Sequence, residues 1–144
     1  SLFNAIGALP FNIDGSRKVL YHSSTVMACN YLVSLLETSR QLLAASGVDS
    51  SGANPLEPLI RQTMDNFFAT DAKSALTGPI ARGDNKTVAR HLAALEAHPD
   101  HLLWQQVYTA LGNAAVPISA EQGQASAESL EAIASMLQST QGDN

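Results

Sequence analysis

Apolar residues recur along this chain at the three- and four-residue spacing of helices, and the breaks between the periodic stretches are short. Val19, Val26, Val33 and Leu36 form one stripe, and Leu20, Met27, Leu35 and Leu42 form a second. They predict a single helix over 17–46, with Ser16 as its N-cap and Gly47 as the residue that ends it. At 1.5 Å per residue such a helix is about 45 Å long, and two apolar stripes on one helix imply packing on more than one side. After a polar loop over 48–54, Asn54 and Pro55 open a helix that reaches about Thr70 through Leu59, Met64, Phe67 and Phe68. Asp84 caps a third helix over 85–97, with Val88, Leu92 and Leu95 inward. Pro99 opens a fourth, running through Leu102, Leu103, Val107 and Leu111 to about Ala115. A loop over 117–124 then leads to a last helix over 127–138, with Leu130, Ile133 and Leu137 inward. The pattern predicts an all-α bundle of about five helices around one long central helix.

Residues 5–13, Ala-Ile-Gly-Ala-Leu-Pro-Phe-Asn-Ile, break this pattern. Gly7 and Pro10 exclude a helix there, so the segment reads as extended. A lone strand cannot satisfy its own hydrogen bonds, and the rest of the chain offers no sheet to receive it. The segment therefore reads as the end of something that lies elsewhere.

Composition narrows the function classes. The 144 residues are 45% apolar and 15% charged, an ordinary globular balance with fewer surface charges than helical domains usually carry. Some helix faces are therefore expected to be covered. A net charge of −5 without a basic run argues against nucleic acid and against an anionic membrane surface. No uninterrupted apolar run approaches 18 residues, so no membrane span is expected. With Cys29 as the single cysteine, an intramolecular disulfide is impossible, and a reducing, cytoplasmic setting is expected.

The chemistry-bearing residues cluster in two places. The stretch Leu76-Thr-Gly-Pro-Ile-Ala-Arg-Gly-Asp84 is a glycine–proline break among helices. Its two glycines have the spacing of a phosphate-binding P-loop, but Asp84 and Asn85 stand where Lys and Ser or Thr are required, and an aspartate there repels phosphate. Read plainly, the break is a tight turn into a helix cap. Arg82 is either a surface arginine or, beside a helix N-terminus, a contact for an anionic ligand. His22 lies on the first stripe of the long helix, and Asn30 lies about 80° around from it at 100° per residue. His22 reads either as a core histidine bonded to a neighbouring carbonyl or, with Asn30, as one wall of a cleft suited to acid–base work. His91, His98 and His101 lack the converging partners that zinc needs, and Cys29 reads as a core thiol.

Lys18-Val-Leu-Tyr21-His22, Asn30-Tyr-Leu-Val, the Leu76–Asp84 stretch and Val88-Ala-Arg-His-Leu together resemble the C-terminal half of Rossmann-like oxidoreductases known as domain of unknown function 2520. The likeness covers about 5–115. The architecture is similar to that of the 6-phosphogluconate dehydrogenase C-terminal-like group, in which a Rossmann domain binds NAD or NADP and a helical domain supplies dimer contacts and one wall of the active site. The resemblance implies that 1–13 is the remnant of the end of a Rossmann domain and 14–144 the helical dimerisation and substrate-side domain. It further implies His22 and Asn30 as catalytic or orienting groups, and Thr77 and Arg82 as contacts to a small-molecule substrate. NAD or NADP would be held by the missing N-terminal domain of the parent and not by this chain, which has no Gly-x-Gly-x-x-Gly. The hydroxyacid dehydrogenases of that group carry Lys and Asn one turn apart on the long helix. Here Val26 stands one turn after His22, so the proton donor differs. A homodimer is implied, and the alternative is a stand-alone helical dimerisation or binding module without catalytic activity.

Overall fold

The computed structural model describes residues 11–49, 52 and 54–139, with the backbone alone at position 101. Every regular element among them is helical. Two compact units divide the chain, Ser1–Gln41 and Leu42–Asn144. Of the expected extended segment, 5–10 lie outside the described residues, and Phe11 to Asp14 have no regular structure.

The first unit is dominated by the long helix. A 3-10 turn, Gly15–Arg17, leads into α1, Lys18–Thr25; a π-helical turn, Val26–Tyr31, joins α1 to α2, Leu32–Ala45. The whole runs unbroken from Gly15 to Ala45. Its cap is Asp14 and not Ser16: the Asp14 carboxylate accepts the Ser16 N–H at 2.9 Å. Its end is as the sequence predicts, with Gly47 at φ +86° donating its N–H to the Ala44 carbonyl at 3.0 Å. Phe11 packs edge-on against Tyr21, ring centroids 5.4 Å apart.

Neither apolar stripe of this helix is buried. Val19, Leu20, Met27 and Val33 are 76%, 71%, 66% and 68% exposed, and no residue of α1, the π turn or α2 is buried. By length and composition the helix is apolar enough to cross a membrane. Counting uninterrupted apolar runs misses this, because Ser, Thr, His and Asn punctuate the sequence.

The second unit holds the core. α3 (Glu57–Ala69) and α4 (Ala72–Ala75) precede the glycine break; α5 (Asn85–Glu96), α6 (His101–Gln122) and α7 (Ala127–Ser139) follow it. α5, α6 and α7 pack on one another around Ile80, Val88, Leu92, Leu130, Ile133 and Leu137, with Tyr108, Ala115 and Val116 against them. α3 buries nothing: Leu59, Phe67 and Phe68 are exposed. It begins two residues later than predicted, because Asn54 forms a turn ahead of it, its carboxamide oxygen accepting the Leu56 N–H at 3.0 Å.

α6 corrects the sequence reading twice. It does not end near Ala115 but continues through Pro117 to Gln122, where Gly123 at φ +75° terminates it. Proline forfeits one backbone bond in a helix interior. Here Ser119, wholly buried, and Val116, packed on the core, hold the next turn in place. The second correction is the inward face. Leu102, Leu103 and Leu111 are exposed, and the buried positions are Trp104, Thr109, Gly112 and Ser119. Gly112 is there because α7 comes close: a Cβ at that position would stand 3.0 Å from both Leu137 methyls.

Candidate functional site

The predicted site residues fall into two groups, His22 and Asn30 in the first unit and Thr77 and Arg82 in the second. All four are exposed.

His22 sits in α1 and Asn30 in the π turn. A buried core histidine is excluded for His22 in this chain, since its side chain is exposed. Its own carbonyl accepts from the Thr25 hydroxyl at 2.8 Å and from the Val26 N–H. The π turn changes their relation. A π turn holds nearly one residue more than an α turn, so each step rotates the chain less. Over the four steps from Val26 to Asn30 this closes the angle between His22 and Asn30 from about 80° to about 20°. The π turn thus brings positions 22 and 30 nearer to one face of the helix than α spacing would, about two turns apart. In α2, Val33 is exposed while Leu32, Leu35 and Leu36 are half-buried.

The polar residues of this helix are unusual in one respect. Ser23, Ser24, Thr25, Thr38 and Ser39 each donate their hydroxyl to a carbonyl three or four residues back, at 2.7 to 2.9 Å. Such bonds satisfy the hydroxyl internally. Faces that read as mixed in sequence can therefore be desolvated without stranding these donors.

In the second unit the break forms a compact turn. Arg82, Gly83 and Asp84 donate their N–H groups to the carbonyls of Gly78 (3.3 Å), Ile80 (3.1 Å) and Pro79 (2.8 Å). Asp84 caps α5 as predicted, accepting the Thr87 N–H at 3.0 Å and the Thr87 hydroxyl at 2.7 Å. Those two bonds, aided by the nearby Arg90 and Arg82 guanidinium groups, hold its carboxyl below the ordinary 3.8. Arg90 donates in turn to the Thr87 hydroxyl at 2.9 Å. Arg82, Lys86 and Arg90 outnumber Asp84 around the start of α5, and the helix N-terminus adds further positive potential. Gly83 is obligatory: its φ is +66°, and a Cβ would lie 2.9 Å from the Ser129 Cβ and 3.0 Å from the Ala125 Cβ.

Two side chains that sequence reasoning left in a loop hold this turn from outside. Ser119 donates its hydroxyl to the Ile80 carbonyl at 3.0 Å. Gln122 donates its amide to the carbonyls of Lys73 (2.9 Å) and Leu76 (3.1 Å). The signal that could have exposed them is the helix-forming run Ile118-Ser-Ala-Glu-Gln122 after Pro117. Between α5 and α6, His91 Nδ1 lies 3.0 Å from the Tyr108 hydroxyl, which burial pushes above its ordinary 10.0. The His98 ring lies against Trp104, centroids 4.4 Å apart. Among the described residues no three His, Cys, Asp or Glu side chains converge as a metal site.

No curated protein and no solved structure matches the chain. A family model does match, over residues 1–115: it reaches from the N-terminus across the long helix and the glycine break into α6. The chain belongs to the family described as a domain of unknown function, DUF2520.

Proposed function

We propose that this chain is the dimerisation and substrate-side domain of an NAD(P)-dependent oxidoreductase whose Rossmann domain lies outside it. The observation that carries the reading is the long helix, whose apolar positions are open to solvent while most of its hydroxyls are already bonded internally. A monomer rarely leaves so much apolar surface uncovered. A second copy related by a two-fold axis covers it with the same surface, and the faces require no new partners for those hydroxyls. His22 and Asn30 then lie along the edge of the cleft shared with the missing domain, where imidazole and carboxamide orient and protonate a carbonyl or imine. Thr77 and Arg82 hold an anionic group of the substrate. NAD or NADP belongs to the Rossmann domain, and the setting is cytoplasmic.

Sedimentation of the purified chain tests the dimer. A mass near twice 15.2 kDa is expected at micromolar concentration and in the absence of detergent or lipid; a monomer at 50 μM, roughly tenfold above the weakest useful affinity, would overturn it. The parentage is read from the coding sequence upstream. A Gly-x-Gly-x-x-Gly after a strand supports it, and its absence leaves a binding module.

A further inference from the structure

We infer that Ser119 and Gln122 are positioning residues that clamp the Leu76–Asp84 turn so that Thr77 and Arg82 are presented to an anionic ligand; the inference rests on the reading of those two residues as ligand contacts. Three bonds make the clamp. The carbonyls of Lys73 and Leu76 sit at the C-terminal end of α4, where a four-residue helix leaves its last acceptors without intrahelical donors. The Gln122 amide satisfies both from a helix 46 and 49 residues away in sequence. The Ile80 carbonyl, in the middle of the turn, takes the Gly83 N–H on one side and the Ser119 hydroxyl on the other. Below, Gly83 rests on Ala125 and Ser129 without room for a methyl group.

Gln122 does this at a cost that reveals its role. Its amide nitrogen faces two carbonyls, so its own oxygen is left buried without a hydrogen-bond partner. Turning the amide over would set oxygen against two oxygens. The donors are what the site requires, and an isosteric acceptor should fail there. The clamp pins the turn at its entry, Leu76, and at its centre, Ile80, leaving exposed the two side chains between and just beyond them, Thr77 and Arg82. Both clamping residues follow the last position matched by the family model, so the matched region depends on chain beyond it.

Amide hydrogen exchange on the full chain, paired with titration of inorganic phosphate followed by backbone chemical shifts, tests the inference. Gln122→Ala and Ser119→Ala should speed exchange at Arg82, Gly83 and Asp84 by about tenfold while Leu92 and Ile133 in the core stay within about twofold. Gln122→Glu, which keeps the shape and replaces donor with acceptor, should open the turn at least as far as Gln122→Ala; a packing role predicts the reverse order. Phosphate affinity should fall at least threefold in Gln122→Ala and be lost in Arg82→Gln. Loop amides no faster than the core amides, or Gln122→Glu as protected as the original, would overturn the clamp. Loop amides that open while Arg82→Gln still binds phosphate like the parent chain would sink the ligand reading alone.

Discussion

At the scale of single residues, Asp84 and Gly83 show how closely a local signal can specify a local structure. A carboxylate three positions before Thr87, ahead of an apolar-periodic stretch, is enough to predict the cap. Because the folded-state carboxyl titrates below 3.8, its contribution is complete above that value and is lost as pH falls through the lowered folded value. The melting temperature of Asp84→Ala should therefore be a few degrees lower at pH 7 and converge with that of the parent chain as pH falls through the lowered folded value. Gly83 carries information that no spacing rule contains, since part of its need to be glycine comes from Ala125 and Ser129, more than forty residues on. Gly78 also has positive φ, +96°, but faces open space. Gly78→Ala should cost about 1 kcal/mol from backbone conformation alone, and Gly83→Ala about 2–4 kcal/mol once the clash is added, measured by urea denaturation. His22 and Asn30 could be chosen from sequence as residue types, but their approach could not, because a π turn leaves no mark in hydrophobic periodicity. If the chain serves the oxidoreductase proposed above, His22→Ala in that enzyme should lower turnover about 10²–10⁴-fold with an unchanged melting temperature. Early unfolding with intact specific activity would return His22 to a structural role.

At the scale of elements, the last helix was fully legible and α6 was not. In α7 the buried residues Leu130, Ile133 and Leu137 are the most apolar at their spacing, so periodicity and burial coincide. In α6 they diverge. Trp104, Tyr108, Gly112, Ala115 and Ser119 line up at helical spacing on the packed side, and several are small or polar. Small residues there let α7 approach closely, which a reading that ranks positions by apolarity passes over in favour of Leu102, Leu103 and Leu111. Proline had the same effect on the boundary, since Pro117 marks a stop in most sequences and here lies inside the helix. The difference has a measurable form. Leu137→Ala removes a wholly buried side chain and should cost about 2–5 kcal/mol, whereas Leu111→Ala should change stability by less than about 0.5 kcal/mol. Comparable losses at both would mean that the exposed leucines are covered in solution.

At the scale of the whole molecule, the all-helical class and the long N-terminal helix followed from pattern alone, while the state of that helix's surface did not. Patterning says which side chains are apolar and is silent on whether this chain or another covers them. If a second copy does so, Leu20→Glu combined with Val33→Glu should convert the dimer to a monomer without loss of helicity, and Leu103→Glu should leave the mass unchanged. The chain should also fail to bind NADH or NADPH with micromolar, saturable fluorescence change, since the glycine turn that seats a pyrophosphate is not in its sequence.

The π turn, Val26–Tyr31, also sets how the two helices it joins are aimed. A turn with nearly one residue more than an α turn lets the segments on its two sides face directions that plain α-helix would not give them. Lys18–Thr25 and Leu32–Ala45 are therefore aimed differently than they would be in one unbroken α-helix. Deleting Ala28 should convert the turn to plain α-helix while leaving His22 and Asn30 on one side, since seven steps of 100° set them about 20° apart. A chain that kept its assembly after that deletion would show that the halves tolerate plain α-helix between them, and one that lost it would show that the widened turn sets the faces that pair.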